Sequence, residues 1–357
     1  MINSKLLKIL SIAIFAFSWS CSSDSTSITA TPARDHAVQF LVEEKLIEQF
    51  LKEYYPVITY NSNGDVANIQ VKKVQYSTDL SFASFYHANN TILSNGNYKG
   101  IDENVNESIL PTTYPVLIKK NFFHQGTIYS YWYFMVKPGA VTKIPYGYTQ
   151  ATSARPTEYD GVILDYKGYT LKEGLFDSTI KYALSESSFE TTNYPAELRL
   201  TGVVRGFSRI LPKFGSSSTT TIGADGSVTY QGYGSGVMIF PSGMGYYNVS
   251  STSIPAYSPL LFSFNLYDVK RFDQDQDGVM NFREDINRDG YFYASTSTLL
   301  NDDTDNDGTN DALDYDDDGD GIITFLEVKN PNTGIPFLDS EYDFLSLPQY
   351  TNNSPIK

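Results

Sequence analysis

The sequence predicts an α+β fold in which an antiparallel β-sheet wraps around one short α-helix. Aromatic residues make up 15% of the 357 residues, with 28 Tyr and 22 Phe, and these side chains favour strands. Five strand-like segments follow one another between residues 126 and 271, with a single helical segment among them. The length of the chain indicates two or three domains, of which this β-rich region is one.

The five strand-like segments are alternating or short apolar runs bounded by Gly, Pro and Ser. In chain order they read TIYSYWYFMV, GVILDYKGY, ELRL, GVMIF and LLFSFNLYDV. The helical segment RGFSRILPKF, residues 205 to 214, lies between the third and the fourth strand. After this helix, residues 215 to 235 alternate around Ala224-Asp225-Gly226, which predicts an inserted β-hairpin.

Residues 35 to 125 form an N-terminal extension to the β-rich region. Asp35 is a suitable N-cap for a helix, and the apolar residues that follow it recur at helical spacing. Pro56 ends this helical pattern. We expect the helix to serve packing, since the extension carries no pattern that indicates chemistry.

Residues 1 to 20 have the pattern of a secretory signal peptide. Lys5 and Lys8 precede a largely apolar run from Ile9 to Phe17, as in the charged and hydrophobic regions of such signals. The run is too short for a membrane-spanning helix. Cys21 follows directly and is the single cysteine of the chain, so the chain contains no internal disulfide.

The position of Cys21 resembles that of the lipidated cysteine in bacterial lipoproteins, although Ser18 and Trp19 depart from the usual signal. Residues 21 to 34 are rich in Ser and Thr and predict a flexible tether. The resemblance implies an exported protein that a lipid at Cys21 anchors to a membrane of the bacterial envelope, on the periplasmic or the surface face. The alternative is an ordinary signal peptide with an incidental cysteine.

Four segments of the β-rich region match one protein family in order. They are VILDYKGYTLKEGLFDS, GVVRGF, FPSGMGYY and IPAYSPLLFSFNLYDV, which lie between residues 162 and 269. Together they resemble FKBP-type peptidyl-prolyl cis-trans isomerase domains, with Leu171 and Gly174 each one position late. The resemblance covers residues 126 to 271, about two-fifths of the chain.

The resemblance implies a catalytic pocket for proline-containing polypeptides, with no cofactor for catalysis. The pocket positions are Tyr166, Phe176, Asp177, Val203, Val204, Phe207, Tyr246, Ile254 and Phe262. Three features depart from the family: Phe207 replaces an indole, Tyr247 replaces a glycine, and the hairpin at residues 215 to 235 is inserted. A non-catalytic client-binding module on the same fold is therefore a rival interpretation.

The chemistry of proline isomerisation fits an aromatic pocket. Rotation about the X–Pro bond crosses a barrier of about 18–20 kcal/mol because the planar amide is stabilised by resonance. The twisted amide is less polar, so an apolar pocket that excludes water favours it over the planar ground state. In this interpretation Asp177 orients the hydroxyl of Tyr166, and Tyr246 holds a carbonyl of the substrate.

The negative charge of the chain lies almost wholly in one segment. The net charge is −15, and residues 272 to 330 hold seventeen Asp and Glu against three Arg and Lys. Phosphates require Lys and Arg, so the composition excludes nucleic acid as an expected partner. Residues 331 to 357 follow this segment as a C-terminal tail.

The acidic segment contains repeated twelve-residue calcium-loop patterns, with oxygen ligands at alternate positions, Gly at position 6 and an acid at position 12. DQDQDGVMNFRE and DDDGDGIITFLE resemble EF-hand loops, and DTDNDGTNDALD between them resembles a thrombospondin type 3 repeat. DINRDG, residues 285 to 290, is a partial copy. The predicted calcium ligands are Asp273, Asp275, Asp277, Val279, Glu284, Asp303, Asp305, Asp307, Asp314, Asp316, Asp318, Asp320, Ile322 and Glu327.

The flanking sequences leave little room for helices, so we expect a rigid spacer ordered by calcium and not a hinged calcium sensor. Without ions, like charges at this density repel one another. Two alternatives remain open for the segment. It is a solvated acidic tail, or it belongs to a calcium-dependent surface or adhesion protein in which the FKBP-like fold is a scaffold.

Overall fold

The computed structural model describes residues 33–86, 114–143, 152–172, 174–185, 188–193, 195–294 and 301–328. Apart from Ala33, these residues lie in one compact unit, Arg34–Lys357. The predicted signal peptide, Cys21 and the tail at residues 331 to 357 lie outside the described residues. Among the described helices, none has both the length and the apolar character that a membrane span requires.

The N-terminal extension begins with a helix and a hairpin. Helix α1 spans His36–Glu53, and strands β1 (Tyr54–Tyr60) and β2 (Val66–Lys73) pair antiparallel directly after it. The predicted cap is confirmed, because the Asp35 carboxylate accepts a hydrogen bond of 3.0 Å from the N–H of Val38.

The remaining strands and helices follow in chain order. The strands are β3 (Val116–His124), β4 (Thr127–Lys137), β5 (Thr142–Lys143), β6 (Thr152–Ser153), β7 (Gly161–Thr170), β8 (Gly174–Ser178), β9 (Ile180–Ser185), β10 (Ser188–Asn193), β11 (Ala196–Arg199), β12 (Thr219–Ile222), β13 (Val228–Gln231), β14 (Gly234–Phe240) and β15 (Leu260–Lys270). The helices are α2 (Arg205–Ile210), α3 (Asn281–Glu284) and α4 (Thr324–Glu327).

One antiparallel sheet of seven strands organises the molecule. Its order is β11-β7-β15-β14-β4-β3, and β8 pairs with β7 beside this path. All five predicted strands belong to this sheet, so the predicted α+β class with an antiparallel sheet is confirmed. Strand β3 comes from the N-terminal extension and pairs with β4 across residues 125 and 126, so the extension supplies a strand of the central sheet.

Both faces of the sheet are covered. On one face, side chains such as Tyr131 and Tyr133 pack in a core with α2. On the other face, Trp132 and Phe134 pack with α1 and the β1–β2 hairpin. Successive residues of a strand point to opposite faces, so a strand covered on both sides is apolar along its whole length. This explains the unbroken run TIYSYWYFMV in β4.

The inserted hairpin is present and consists of β12 and β13. Asp225 stabilises its turn by accepting hydrogen bonds from the N–H and hydroxyl of Ser227 at 3.0 and 2.7 Å. At the base of the hairpin, the N–H of Gly232 donates to Asp65 at 3.1 Å. Tyr230 stacks on Tyr267 with ring centroids 5.1 Å apart. The base of the hairpin therefore lies against the β1–β2 turn.

The acidic segment packs on the helix α2. The hydroxyl of Tyr291 donates to the carbonyl of Arg209 in α2, and the Arg209 guanidinium lies 3.4 Å from the centroid of the Tyr291 ring. Phe292 stacks on Tyr159 with ring centroids 4.6 Å apart. These contacts fix the segment to the same short helix that begins beside the predicted pocket.

Candidate functional sites: an aromatic pocket and a set of acidic loops

An apolar floor lies where α2 meets β15. Phe207 from α2 and Phe262 from β15 are buried, and their ring centroids are 4.6 Å apart in an edge-to-face arrangement. Ile254 is buried in the same core. Edge-to-face contacts at this separation are favourable for aromatic rings. Phe207 therefore preserves a close-packed apolar floor at the position where the FKBP family has an indole.

The predicted walls of the pocket come from β7, β8 and the residues just before α2. Tyr166 and Phe176 are half-buried, with ring centroids 6.1 and 5.5 Å from that of Phe262. Val203 and Val204 pack against the same core, also half-buried. Together with the floor, these side chains bring seven of the predicted pocket residues into one cluster.

Asp177 and Tyr246, two of the predicted site residues, are exposed at the edge of this cluster. The hydroxyl of Tyr166 donates a hydrogen bond of 2.6 Å to the exposed carboxylate of Asp177. Burial raises the pKa of Tyr166 strongly, and the bond to Asp177 and the nearby Tyr246 raise it further. Tyr246 lies near Tyr166 and is 43% exposed. The Tyr166 hydroxyl stays protonated and oriented through the neutral range.

Gly168 and Gly206, which are not among the predicted site residues, make room for aromatic rings of the predicted pocket and of the core. A Cβ on Gly168 would lie 2.5 Å from the Phe262 ring and 2.8 Å from the Phe176 ring. A Cβ on Gly206 would lie 2.4 Å from the Phe240 ring. Gly168 sits opposite Phe262 in the β7–β15 register. These close approaches require residues without a side chain.

The loop that carries Tyr246 is held by the N-terminal helix. Glu43 of α1 is 1% exposed. Its carboxylate accepts hydrogen bonds from the N–H and hydroxyl of Ser242 at 2.7 and 2.6 Å, and from Gln39 at 2.6 Å. Burial raises the pKa of Glu43, and these hydrogen bonds partly oppose the rise. The expectation that α1 serves packing alone misses this contact, because Glu43 and Ser242 are far apart in sequence.

Tyr247 forms the second contact between this loop and the N-terminal extension. Its φ of 49° lies in the left-handed region that glycine adopts most readily, and the FKBP family has glycine here. Its ring stacks on His36 with centroids 3.9 Å apart, and its hydroxyl donates to the carbonyl of Arg34. The departure from the family pattern thus attaches the pocket loop to the start of α1.

The four acidic copies share one backbone arrangement. We name them loop I (residues 273–284), loop II (285–290), loop III (303–314) and loop IV (316–327). In each, the N–H of the glycine at position 6 donates to the aspartate at position 1, over distances of 2.9 to 3.0 Å. The pairs are Gly278–Asp273, Gly290–Asp285, Gly308–Asp303 and Gly321–Asp316. All four glycines have positive φ, from 89 to 104°, so loop II is a structural copy although its pattern is partial.

The carboxylates at positions 1, 3 and 5 converge in three of the loops. The groups are Asp273, Asp275 and Asp277 in loop I; Asp303, Asp305 and Asp307 in loop III; and Asp316, Asp318 and Asp320 in loop IV. In every group, at least one buried carboxylate oxygen has no hydrogen-bond partner. Such oxygens are costly to bury unless a cation or proton compensates them. A donor set made only of oxygens fits calcium.

The other predicted ligands occupy less uniform places. Val279 and Ile322 follow the converging carboxylates, and their N–H groups donate to Asp277 and Asp320 at 2.8 and 2.9 Å. Asp314 accepts a bond of 3.0 Å from the N–H of Asp316 in the next loop.

The two glutamates at position 12 differ in burial. Both oxygens of Glu284 and one oxygen of Glu327 are buried without a hydrogen-bond partner. A carboxylate oxygen of Glu284 lies within 4.8 Å of one of Asp277, but Glu284 is not grouped with Asp273 and Asp275 of loop I. Burial raises the pKa of Glu327 to about 7 and that of Asp277 to about 8, and neighbouring carboxylates add to both shifts.

Two buried aspartates were missed by the loop patterns. Asp302 accepts hydrogen bonds from the N–H groups of Ile286 and Tyr293 at 3.0 and 3.1 Å, and so holds loop II. Asp317 has both carboxylate oxygens buried without a hydrogen-bond partner. The sequence carried one sign of an additional role. In the run DDDGDG, Asp317 is an aspartate at position 2 and therefore lies outside the alternating ligand set of positions 1, 3 and 5.

Comparison with known families gives a match in the acidic segment. A family model described as BamM C-terminal matches residues 274–355, which is less than half of the chain. The matched model is not an EF-hand model, so the calcium interpretation of the loops stays a prediction. No curated protein matched the sequence of the chain.

Comparison with solved structures finds FKBP-type isomerases, each similar to a part of the chain. FkpA from Escherichia coli has 22% identity and a TM-score of 0.26, over 39% of this chain and 48% of that one. A peptidyl-prolyl cis-trans isomerase from Pseudomonas syringae pv. tomato has 18% identity and a TM-score of 0.26, over 39% and 75%. A multi-domain immunophilin from Arabidopsis thaliana has 14% identity and a TM-score of 0.27, over 41% and 45%.

Proposed function

We propose that the chain is an exported peptidyl-prolyl cis-trans isomerase of the FKBP type that assists the folding of proline-containing polypeptides. One observation supports the proposal: the four family-like segments, separate in the sequence, contribute to one cluster of aromatic and apolar side chains. The floor of this pocket is the Phe207–Phe262 pair, and the Tyr166–Asp177 hydrogen bond lies at its rim. A core arrangement alone would not require a half-exposed tyrosine paired with an exposed carboxylate.

The proposed mechanism uses shape and desolvation. A proline ring enters between Phe176 and Tyr166 and rests on Phe262, so water leaves the X–Pro amide. The twisted amide tolerates this apolar surrounding better than the planar amide does, and the barrier falls. Tyr246 at the rim donates a hydrogen bond to a substrate carbonyl. The chain's residues move no proton, so we expect a rate that is nearly constant across neutral pH.

The test is X–Pro isomerisation measured on the wild type and on pocket variants. Phe176→Ala should reduce the rate most, because it removes pocket surface. Leu175→Ala is the matched control, since Leu175 neighbours Phe176 in β8 but is 57% exposed. Tyr246→Phe should cost one hydrogen bond, about 0.5–1.5 kcal/mol, and Asp177→Val should lower the rate modestly by releasing Tyr166.

Circular dichroism on the same samples separates loss of catalysis from loss of folding. A folded wild type that accelerates isomerisation in no peptide context would exclude the isomerase. The non-catalytic client-binding module would then replace it, and binding of unfolded proline-containing chains would be the remaining activity.

A second proposal concerns the acidic segment: we propose that residues 272 to 330 bind calcium and become a rigid spacer. The unpartnered carboxylate oxygens of the three converging groups support it. Calcium should raise the thermal stability of the segment, because the ion binds the folded loops and not the unfolded chain. Glu327→Gln should weaken one site and leave the pocket folded. A calorimetric titration without calcium heat at millimolar concentrations would exclude the proposal.

The third proposal is the lipid anchor at Cys21, which rests on the sequence of residues 1 to 34. Cys21→Ser should release the protein into the soluble fraction or leave the precursor uncleaved. A variant that stays in the membrane fraction at the wild-type mass would exclude Cys21 as the anchor. If the anchored protein captures partners only in calcium and shows no isomerase activity, the surface or adhesion alternative takes precedence.

A further inference from the structure

A fourth group of carboxylates, which shares Asp277 with the group of loop I, joins loop I to loop IV. Asp277 and Glu284 belong to loop I, and Asp317 is the second residue of loop IV. One carboxylate oxygen from each lies within 4.8 Å of the other two. The three side chains are buried, with exposed fractions of 1%, 0% and 4%. Two chain segments that are distant in sequence thus place three acids against one another inside the molecule.

Five of the six carboxylate oxygens of this group have no hydrogen-bond donor among the described residues. Both oxygens of Glu284, both oxygens of Asp317 and one oxygen of Asp277 are buried without a partner. Taking an ionised carboxylate out of water costs several kcal/mol unless a donor or a counter-charge replaces the water. Three such groups in contact also repel one another when ionised, so the arrangement requires either bound protons or a cation at its centre.

The neighbouring carboxylate of Asp311 does not belong to the group. Its two oxygens accept hydrogen bonds of 2.7 Å from the N–H and the hydroxyl of Thr304, so they are already compensated. The contrast shows that the fold supplies donors to a buried acid where the acid is structural. It supplies none to Asp277 Oδ2, Glu284 and Asp317.

We propose that Asp277, Glu284 and Asp317 together hold a calcium ion that cross-links loop I to loop IV. Calcium binds oxygens at about 2.3–2.6 Å, so two ligands of one ion lie at most about 4.6–5.2 Å apart, and the oxygens of this group, all within 4.8 Å of one another, are compatible with that limit. Asp317 lies at position 2 of loop IV, outside that loop's own ligand group. The site deepens the proposed calcium binding of the acidic segment and rests on it for the identity of the ion.

Counting bound ions tests the cross-link. Calcium per purified full chain is measured by equilibrium dialysis for the wild type, Asp317→Asn, Asp320→Asn and the double variant. Asp320 belongs to the group of loop IV alone and is exposed, so it is the matched control. Each single variant should lose one ion, and the double variant should lose two. A double variant that loses no more than either single variant would show that Asp317 serves the site of loop IV, which overturns the inference.

Thermal unfolding gives an independent readout. In chelator, Asp317→Asn should unfold at a higher temperature than the wild type, because a neutral amide replaces one of three buried carboxylates that otherwise repel one another or must take up protons. In calcium its gain in Tm should be smaller than that of the wild type. A lower Tm in chelator would mean that Asp317 stabilises the fold without an ion, against the inference. If the wild type binds no calcium at all, the proposal that the acidic segment binds calcium fails as a whole. If the loops bind calcium and Asp317→Asn binds as many ions as the wild type, only the cross-link fails.

Discussion

Removing the Glu43 carboxylate tests whether the N-terminal helix positions the loop of the proposed pocket. In Glu43→Ala, the N–H and hydroxyl of Ser242 and the amide of Gln39 lose their common acceptor. Ser242 is fully buried, so water replaces few of these bonds. Each buried donor left unpaired costs about 1–3 kcal/mol. Removal of a buried charge offsets part of this sum, and we expect a net destabilisation of about 2–4 kcal/mol.

The assay is urea unfolding, combined with the isomerisation rate under conditions in which the variant is folded. Glu48→Ala is the matched control, because Glu48 lies on the same helix with its side chain 47% exposed. A surface substitution of this kind should change the stability by no more than about 0.5 kcal/mol. Glu43→Ala should also lower the isomerisation rate, because Tyr246 lies four residues after Ser242 in the same loop.

Equal stability of Glu43→Ala and Glu48→Ala within the error of the measurement would contradict a structural role of the Glu43 carboxylate. Unchanged isomerisation in a destabilised but folded Glu43→Ala would separate the two parts of the argument. The contact would then stabilise the fold without positioning the pocket loop.

The remaining predictions concern the pocket floor, the attachment of the acidic segment and its response to pH. Gly168→Val should overpack the ring of Phe262 and destabilise the fold by about 1–3 kcal/mol, with a loss of isomerisation; an unchanged urea midpoint contradicts the packing argument. Tyr291→Phe should cost about 1–2 kcal/mol by removing the hydrogen bond to α2, and equal midpoints in urea would show that this bond is dispensable. Burial raises the pKa of Asp285 to about 7 and that of Asp277 to about 8, so the folded state holds these protons more tightly than the unfolded chain. The free energy of unfolding in chelator should therefore fall as the pH rises through 7 and 8. Calcium should remove this fall. A urea midpoint in chelator that increases over this pH range would contradict the raised pKa of these two carboxyl groups.

The local patterns of the sequence determined the elements and the loops. Helix α1 begins after its predicted cap at Asp35, and the five predicted strands all exist, because alternation and capping depend on residues a few positions apart. The same holds for the acidic loops, in which a glycine N–H reaches an aspartate five residues earlier, as in Gly278 and Asp273. The resemblance of the four segments also predicted which aromatic residues lie together, such as Phe207 and Phe262.

Only the tertiary structure decided which distant side chains meet and which of them lose contact with water. Glu43 is one of several acids on α1, and nothing within its own helix distinguishes it; its role comes from Ser242, 199 residues away. Asp317 is one acid in an acidic run, and its meeting with Asp277 and Glu284 depends on how two loops pack. The free energy of an ionised carboxylate depends on its burial and on its partners in space. Neither the burial nor the partners follow from sequence spacing alone.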